Sequence, residues 1–111
     1  MTREIDLPEL REVEWLDPWR PTAPGLEAEL AREVGPGHVL AGRRAVAVAR
    51  RVDNDDVLFH LPDGPALLAV VHLTWTGRRE QKPQWPYTEL YHSVAEFAER
   101  CMGPDHRGEE R

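Results

Sequence analysis

The sequence predicts an α+β domain with a central antiparallel β-meander, and three observations carry that prediction. Between residues 45 and 75, three apolar runs, AVAVARRV, DVLFHL and ALLAVVHLTW, are separated by DNDD and PDGP, both rich in turn formers. Upstream, Leu26, Leu30 and Val34 recur every four residues, the period of an amphipathic helix. Downstream, SVAEFAERCM places apolar residues at helical spacing behind a capping signature. The expected architecture is three to five strands packed with two helices, one N-terminal and one C-terminal.

Taken in chain order, residues 1–24 read as a proline-rich acidic N-terminal arm. Pro8, Pro18, Pro21 and Pro24 work against a long helix, and Trp15 and Trp19 are its anchors. A single α+β domain is expected over residues 25–103. Its first helix runs from about Gly25 to Val34, with Glu27, Glu29, Arg32 and Glu33 outward and Gly35-Pro36 as the stop. His38–Leu40 is a possible short strand, and TELY (Thr88–Leu90, Tyr91) a last one. Ser93 and Glu96 form the capping box of the second helix, whose buried stripe is Val94, Phe97, Ala98 and Cys101. Gly103-Pro104 is expected to close it, leaving 104–111 as a polar tail.

Bulk properties exclude several classes of function. At 111 residues with 41% hydrophobic and 31% charged residues, the chain has the make-up of one globular domain. No apolar run approaches the roughly 18 residues that span a bilayer, and the acidic N-terminus has no hydrophobic core of a secretory signal. A cytoplasmic location with no membrane partner is therefore expected. Net charge is −6, distributed unevenly: residues 1–35 hold four arginines against nine acids, whereas 36–82 hold seven basic residues against five acids. That mild basic excess, without Lys/Arg clusters, disfavours nucleic acid as a partner. The single cysteine, Cys101, can form no internal disulfide and reads as a small buried hydrophobe.

The stretch RRVDNDDVLFHLPDGPALLAVVHLTW raises the possibility of a metal-assisted hydrolytic site, with His60, His72, Asp53, Asp55 and Asp56 as its parts. Register argues against it. A two-residue turn at Asp63-Gly64 opposes Phe59 to Leu68 and Val57 to Val70, and a turn at Asp53-Asn54 opposes Val48 to Phe59 and Arg51 to Asp56. Because side chains alternate across a strand, this sends His60 and His72 to opposite faces, although a one-residue slip reverses the outcome. Charge balance with nearby arginines accounts for the aspartates. No zinc spacing, phosphate-binding glycine loop or nucleophile elbow is present, so no metal or cofactor is expected.

Aromatic residues outside the regular elements are more informative. Trp75, Trp85 and Tyr87, with Arg78, Arg79 and Glu80, gather on the loop after the third long strand and form the candidate interaction surface. Packing of the tryptophans onto the sheet is the structural alternative. The strings VDNDDVLF, VVHLTWTG, the WP and Thr88 that follow, and the closing S-x-AEF resemble a group of small uncharacterised bacterial proteins over roughly residues 25–105. The resemblance implies a cytoplasmic domain and carries over no catalytic residue. The leading expectation is a non-enzymatic module that binds another protein, or itself, through the aromatic loop; the alternative is the small hydrolase.

Overall fold

The computed structural model describes residues 8–22, 25–63, 67–75, 82 and 84–109. Five strands form one antiparallel sheet in chain order: β1 (Trp19–Pro21), β2 (Val46–Arg51), β3 (Asp56–His60), β4 (Leu68–His72) and β5 (Thr88–Tyr91). Helix α1 (Leu26–Glu33) covers one face. On the other, α2 (Val94–Phe97) passes through a π-helical stretch, Ala98–Met102, into α3 (Gly103–Arg107). The protein is thus α+β, with five strands. The expected strand at His38–Leu40 is instead a series of turns. No helix among the described residues is long and apolar enough to cross a membrane.

Both faces are packed, as their apolar composition requires. Ala47, Val57, Phe59, Leu61, Ala69, Val71 and Leu73 meet Leu30 and Leu40 on the α1 face. Val48, Ala49, Leu58, Leu68, Val70 and Tyr91 meet Phe97, Cys101 and Met102 on the α2 face. Part of the N-terminal arm joins this second core. Trp19 is fully buried on β1, its ring edge-on to Phe97 at 5.2 Å, while Trp15 packs beside the same phenyl ring.

Two register expectations are corrected. β3 pairs with β4 as Asp56 to His72, Phe59 to Ala69 and His60 to Leu68, one residue away from the predicted pairing. The reason is chemical: a two-residue turn at Asp63-Gly64 needs its flanking residues to exchange hydrogen bonds, and both are prolines without an N–H. The last bond is instead Leu61 N–H to the Leu67 carbonyl, and the connection is longer; Gly64 lies outside the described residues. Between β2 and β3 the predicted pairing holds at Ala49–Leu58 and Arg50–Val57. It then slips at a bulge around Val48, so that Ala47, not Val48, opposes Phe59.

The helices also depart from expectation at their ends. The π-helical turn shifts the hydrogen-bond register so that Pro104 falls in the first turn of α3, where no N–H is needed. The helix therefore continues beyond Gly103-Pro104 to Gly108, whose φ of 74° supplies the left-handed cap. In α1 the stop is an extended Val34, and Glu29 and Glu33 are buried rather than outward. The predicted cap of α2 is present: Ser93 Oγ accepts from Glu96 N–H at 3.0 Å, and Glu96 accepts from His92 N–H at 2.7 Å.

Candidate functional site: a cleft beside an open sheet edge

The one-residue slip between β3 and β4 puts Asp56, Leu58, His60, Leu68, Val70 and His72 on the α2 face together. The two histidines therefore share a face, contrary to the sequence expectation. They do not share a site. His60 lies opposite Leu68 and His72 lies opposite Asp56, four residues along the pleat, a separation of roughly 13 Å. His60 is buried and His72 is exposed. Among the described residues no three His, Cys, Asp or Glu side chains are grouped to hold a metal ion.

α2 begins immediately after β5 and packs over Tyr91, so it covers the sheet from that end. The opposite end of the face stays open as a cleft of about 670 Å³. Asp56, Val70 and His72 form its floor, Arg51 and Asp105 one wall, and Trp85, Tyr87 and Glu89 the other, with Glu109 at the mouth. Asp56 Oδ1 lies 2.9 Å from His72 Nδ1, so the largely buried carboxylate orients the half-exposed imidazole. Arg51 donates to both oxygens of Asp53, at 2.8 and 2.7 Å, and lies 3.2 Å from the buried Asp105. This bonding to Asp53 raises the Arg51 pKa, and the same contact holds the Asp53 carboxyl below its ordinary range. Trp19 Nε1 donates to Asp105 at 2.8 Å, fixing that carboxylate from behind.

The aspartate-rich turn is thus a set of structural contacts. Asp53 pairs with Arg51, Asn54 Oδ1 accepts from the Asp56 N–H at 2.8 Å, the Asp55 carbonyl accepts from the Leu73 N–H, and Asp56 holds His72. Only Asp56 reaches the cleft.

Of the aromatic candidates, Trp85 and Tyr87 come together, ring centroids 6.5 Å apart, at the rim of the cleft. They are 41% and 53% exposed. Trp75 is also exposed but does not line the cleft. Its backbone, at φ 60°, is held on the α1 side by Glu33, which accepts from the N–H groups of Thr74 and Trp75 at 2.9 and 2.7 Å. Arg78, Arg79 and Glu80 lie outside the described residues.

Four residues that matter to this region have no sequence signature. His38 is buried, accepts from Leu40 N–H at Nδ1, and reaches the Pro86 carbonyl at 2.8 Å through Nε2. Because Nδ1 accepts, Nε2 carries the proton and donates, pinning the Trp85–Tyr87 segment. Arg51, Glu89 and Asp105 join the cleft through strand register and helix extension, neither of which a motif encodes. No family model, curated protein or solved structure matches this chain.

Proposed function

We propose that this protein is a non-catalytic binding module that recognises another protein at β5 and the aromatic rim beside it. One observation carries the reading. Of the six large hydrophobic side chains exposed among the described residues, four border this strand: Val39 at 53%, Trp85 at 41%, Tyr87 at 53% and Leu90 at 37%. Val39 lines a second hollow, of about 370 Å³, with Gly37, His38, Gln84, Tyr87 and Thr88. Trp85 lies ring to ring with Tyr87, and Val39 shares a hollow with Tyr87; grouped exposed aromatic and aliphatic side chains beside a cleft mark recognition surfaces, whereas scattered ones do not. His38 holds this surface in place through a bond within the chain, which lowers the ordering cost of binding.

The test uses peptides selected from a displayed library on the immobilised full chain. Binders to the wild type are then measured on Trp85→Ala and Tyr87→Ala. Both side chains are largely outside the core, so the variants fold. Loss of roughly thirty-fold or more in affinity is expected for a central aromatic anchor. Undiminished binding to both variants refutes the reading.

The Asp56–His72 pair supports a second reading, a hydrolase in which the oriented imidazole acts as general base on water. Among the described residues the cleft lining offers no serine, threonine or cysteine nucleophile. Turnover of activated esters or phosphoesters that disappears in His72→Gln would establish it, and turnover unchanged by that substitution would dismiss it.

A further inference from the structure

The sheet has two edges, and they are built differently. Hydrogen bonds from Val52 to the Pro18 carbonyl and from Thr22 to the Val48 carbonyl turn the backbone groups of residues 18, 20 and 22 toward β2, so those of Trp19 and Pro21 point away from it. That edge offers no N–H donor among its described outward groups. The Trp19 N–H is taken by the Leu16 carbonyl at 2.9 Å, and Pro21 has no N–H to offer. At the other edge, the bond from His72 N–H to the Tyr87 carbonyl turns residues 87, 89 and 91 toward β4. The N–H and C=O groups of Thr88 and Leu90 therefore point away from the sheet, and among the described residues they make no backbone hydrogen bond. β5 contains neither proline nor lysine, the residues that usually blunt an edge.

Resting on the binding function proposed above, we infer that the partner enters as an extended strand added to the outer edge of β5, with basic side chains on its cleft-facing side and apolar ones on the other. An added strand alternates its side chains between the two faces. On the α2 face it runs beside Tyr87 and Glu89, next to a cleft lined by four carboxylates, of which Glu109 pairs with Arg107, Asp105 with Arg51 and Asp56 with His72, while Glu89 stands on the strand itself. Arg51 within that lining is already matched by Asp53 and Asp105. A cationic side chain from the partner meets both the negative field and the faces of Trp85 and Tyr87. On the α1 face the same strand runs beside Leu90 and Thr88 and the exposed Val39, which take apolar groups.

A second copy of this chain is the wrong occupant. Two β5 edges pairing antiparallel would bring the two acidic clefts together on one face and set Glu89 close to its own counterpart. Like charges across a strand pair are destabilising, and the whole chain carries −6. An alternating basic and apolar strand has the opposite complementarity.

The experiment titrates the ¹⁵N-labelled full chain with the blocked pentapeptide Val-Arg-Val-Arg-Val, and with its analogue in which uncharged citrulline replaces both arginines. Expected are shifts at the amides of Thr88 and Leu90 and at the Trp85 indole, slowed exchange of those two amides, and an affinity roughly ten-fold weaker for the citrulline peptide. Glu89→Gln is expected to narrow that difference, and raised salt to weaken only the arginine peptide. Equal affinity for the two peptides, with β5 still perturbed, overturns the cationic assignment and leaves the binding function standing. Library-selected binders that perturb Trp85 without protecting Thr88 and Leu90 overturn strand addition alone. A dimer in sedimentation with those amides protected overturns the choice of occupant. Failure of every peptide, selected or designed, to perturb this region removes the binding function with it.

Discussion

Replacing Glu33 by alanine removes a side chain that accepts the backbone donors just beyond β4 on the α1 side. Glu33 is fully buried, and its two oxygens accept the N–H groups of Thr74 and Trp75 at 2.9 and 2.7 Å. Each N–H stranded in a partly buried position costs about 1–3 kcal/mol. Against that stands the relief of a desolvated carboxyl crowded by Glu29, which burial and this neighbour hold above the ordinary glutamate range. We expect a net loss of about 2–4 kcal/mol for Glu33→Ala, and roughly half as much for Glu33→Gln, whose single carbonyl oxygen can serve one of the two donors. With a urea slope of about 1–3 kcal/mol per molar, the alanine variant should lower the unfolding midpoint by on the order of 1–2 M. The sign of the pH effect follows from linkage. A carboxyl with a raised folded pKa binds its proton more tightly folded than unfolded, so its contribution to stability is present in acid and falls as pH rises through the ordinary glutamate range toward the folded value. Wild type minus Glu33→Gln should therefore shrink with rising pH across that window. A destabilisation below about 0.5 kcal/mol for Glu33→Ala, the size of an ordinary surface substitution, refutes the clamp.

Trp19→Phe keeps an aromatic ring against Phe97 but removes the indole donor to Asp105. A loss of about 1.5–3 kcal/mol in chemical denaturation is expected for a hydrogen bond to a charged group, and no loss would detach the arm from the core. His38→Ala removes the donor to the Pro86 carbonyl and the acceptor for Leu40 N–H. Amide exchange at Trp85, Tyr87 and Leu40 should accelerate well beyond that of the β3 core, and uniform exchange would show that the ring does not pin this segment.

The elements of this fold were readable because each rests on local chemistry. Valine and alanine runs between turn clusters marked β2, β3 and β4, four-residue spacing marked α1, and Ser93 with Glu96 marked the start of α2. What escaped was non-local. Strand register depends on how a turn closes, and two prolines around Asp63-Gly64 forbid the closure that the dipeptide otherwise favours. That single residue of slip moved His60 and His72 to one face and paired Asp56 with His72. The burial of Glu33 contradicts helical periodicity because its oxygens accept from distant backbone, at Thr74 and Trp75, whereas the buried Glu29 accepts from Arg32 within the helix. Asp105 was invisible for a related reason. Glycine followed by proline normally ends a helix, and only the π-helical register carries it onward to meet Trp19 and Arg51. Of the aromatic candidates, Trp85 and Tyr87 meet at the cleft, whereas Trp75 is held on the other side of β4 by Glu33.

Under the proposed binding function, the residues that pack the core and those that would meet a partner are largely different, and this makes the functional proposal separable from folding. On the α1 face the helix closes over Phe59, Leu61 and Leu73, and its glutamates occupy backbone donors at Ala47, Thr74 and Trp75. Substitutions there are felt as stability. On the α2 face the packing is anchored at Phe97 and Trp19, while the opposite end leaves Tyr87, Glu89 and His72 accessible around the cleft. Substitutions of those side chains remove little buried area, so on the proposed reading they change binding with little change in the unfolding midpoint. His38 is the residue that links the two, since it is buried on the α1 side yet holds the segment that presents the aromatic rim. A double-mutant cycle between His38 and Trp85 therefore has a defined expectation: coupling in peptide affinity, because loosening the segment leaves less for the indole to contribute, and additivity in unfolding free energy, because the exposed indole adds little to the core. Coupling in stability without coupling in affinity would mean that the indole serves the fold and that recognition lies elsewhere on the chain.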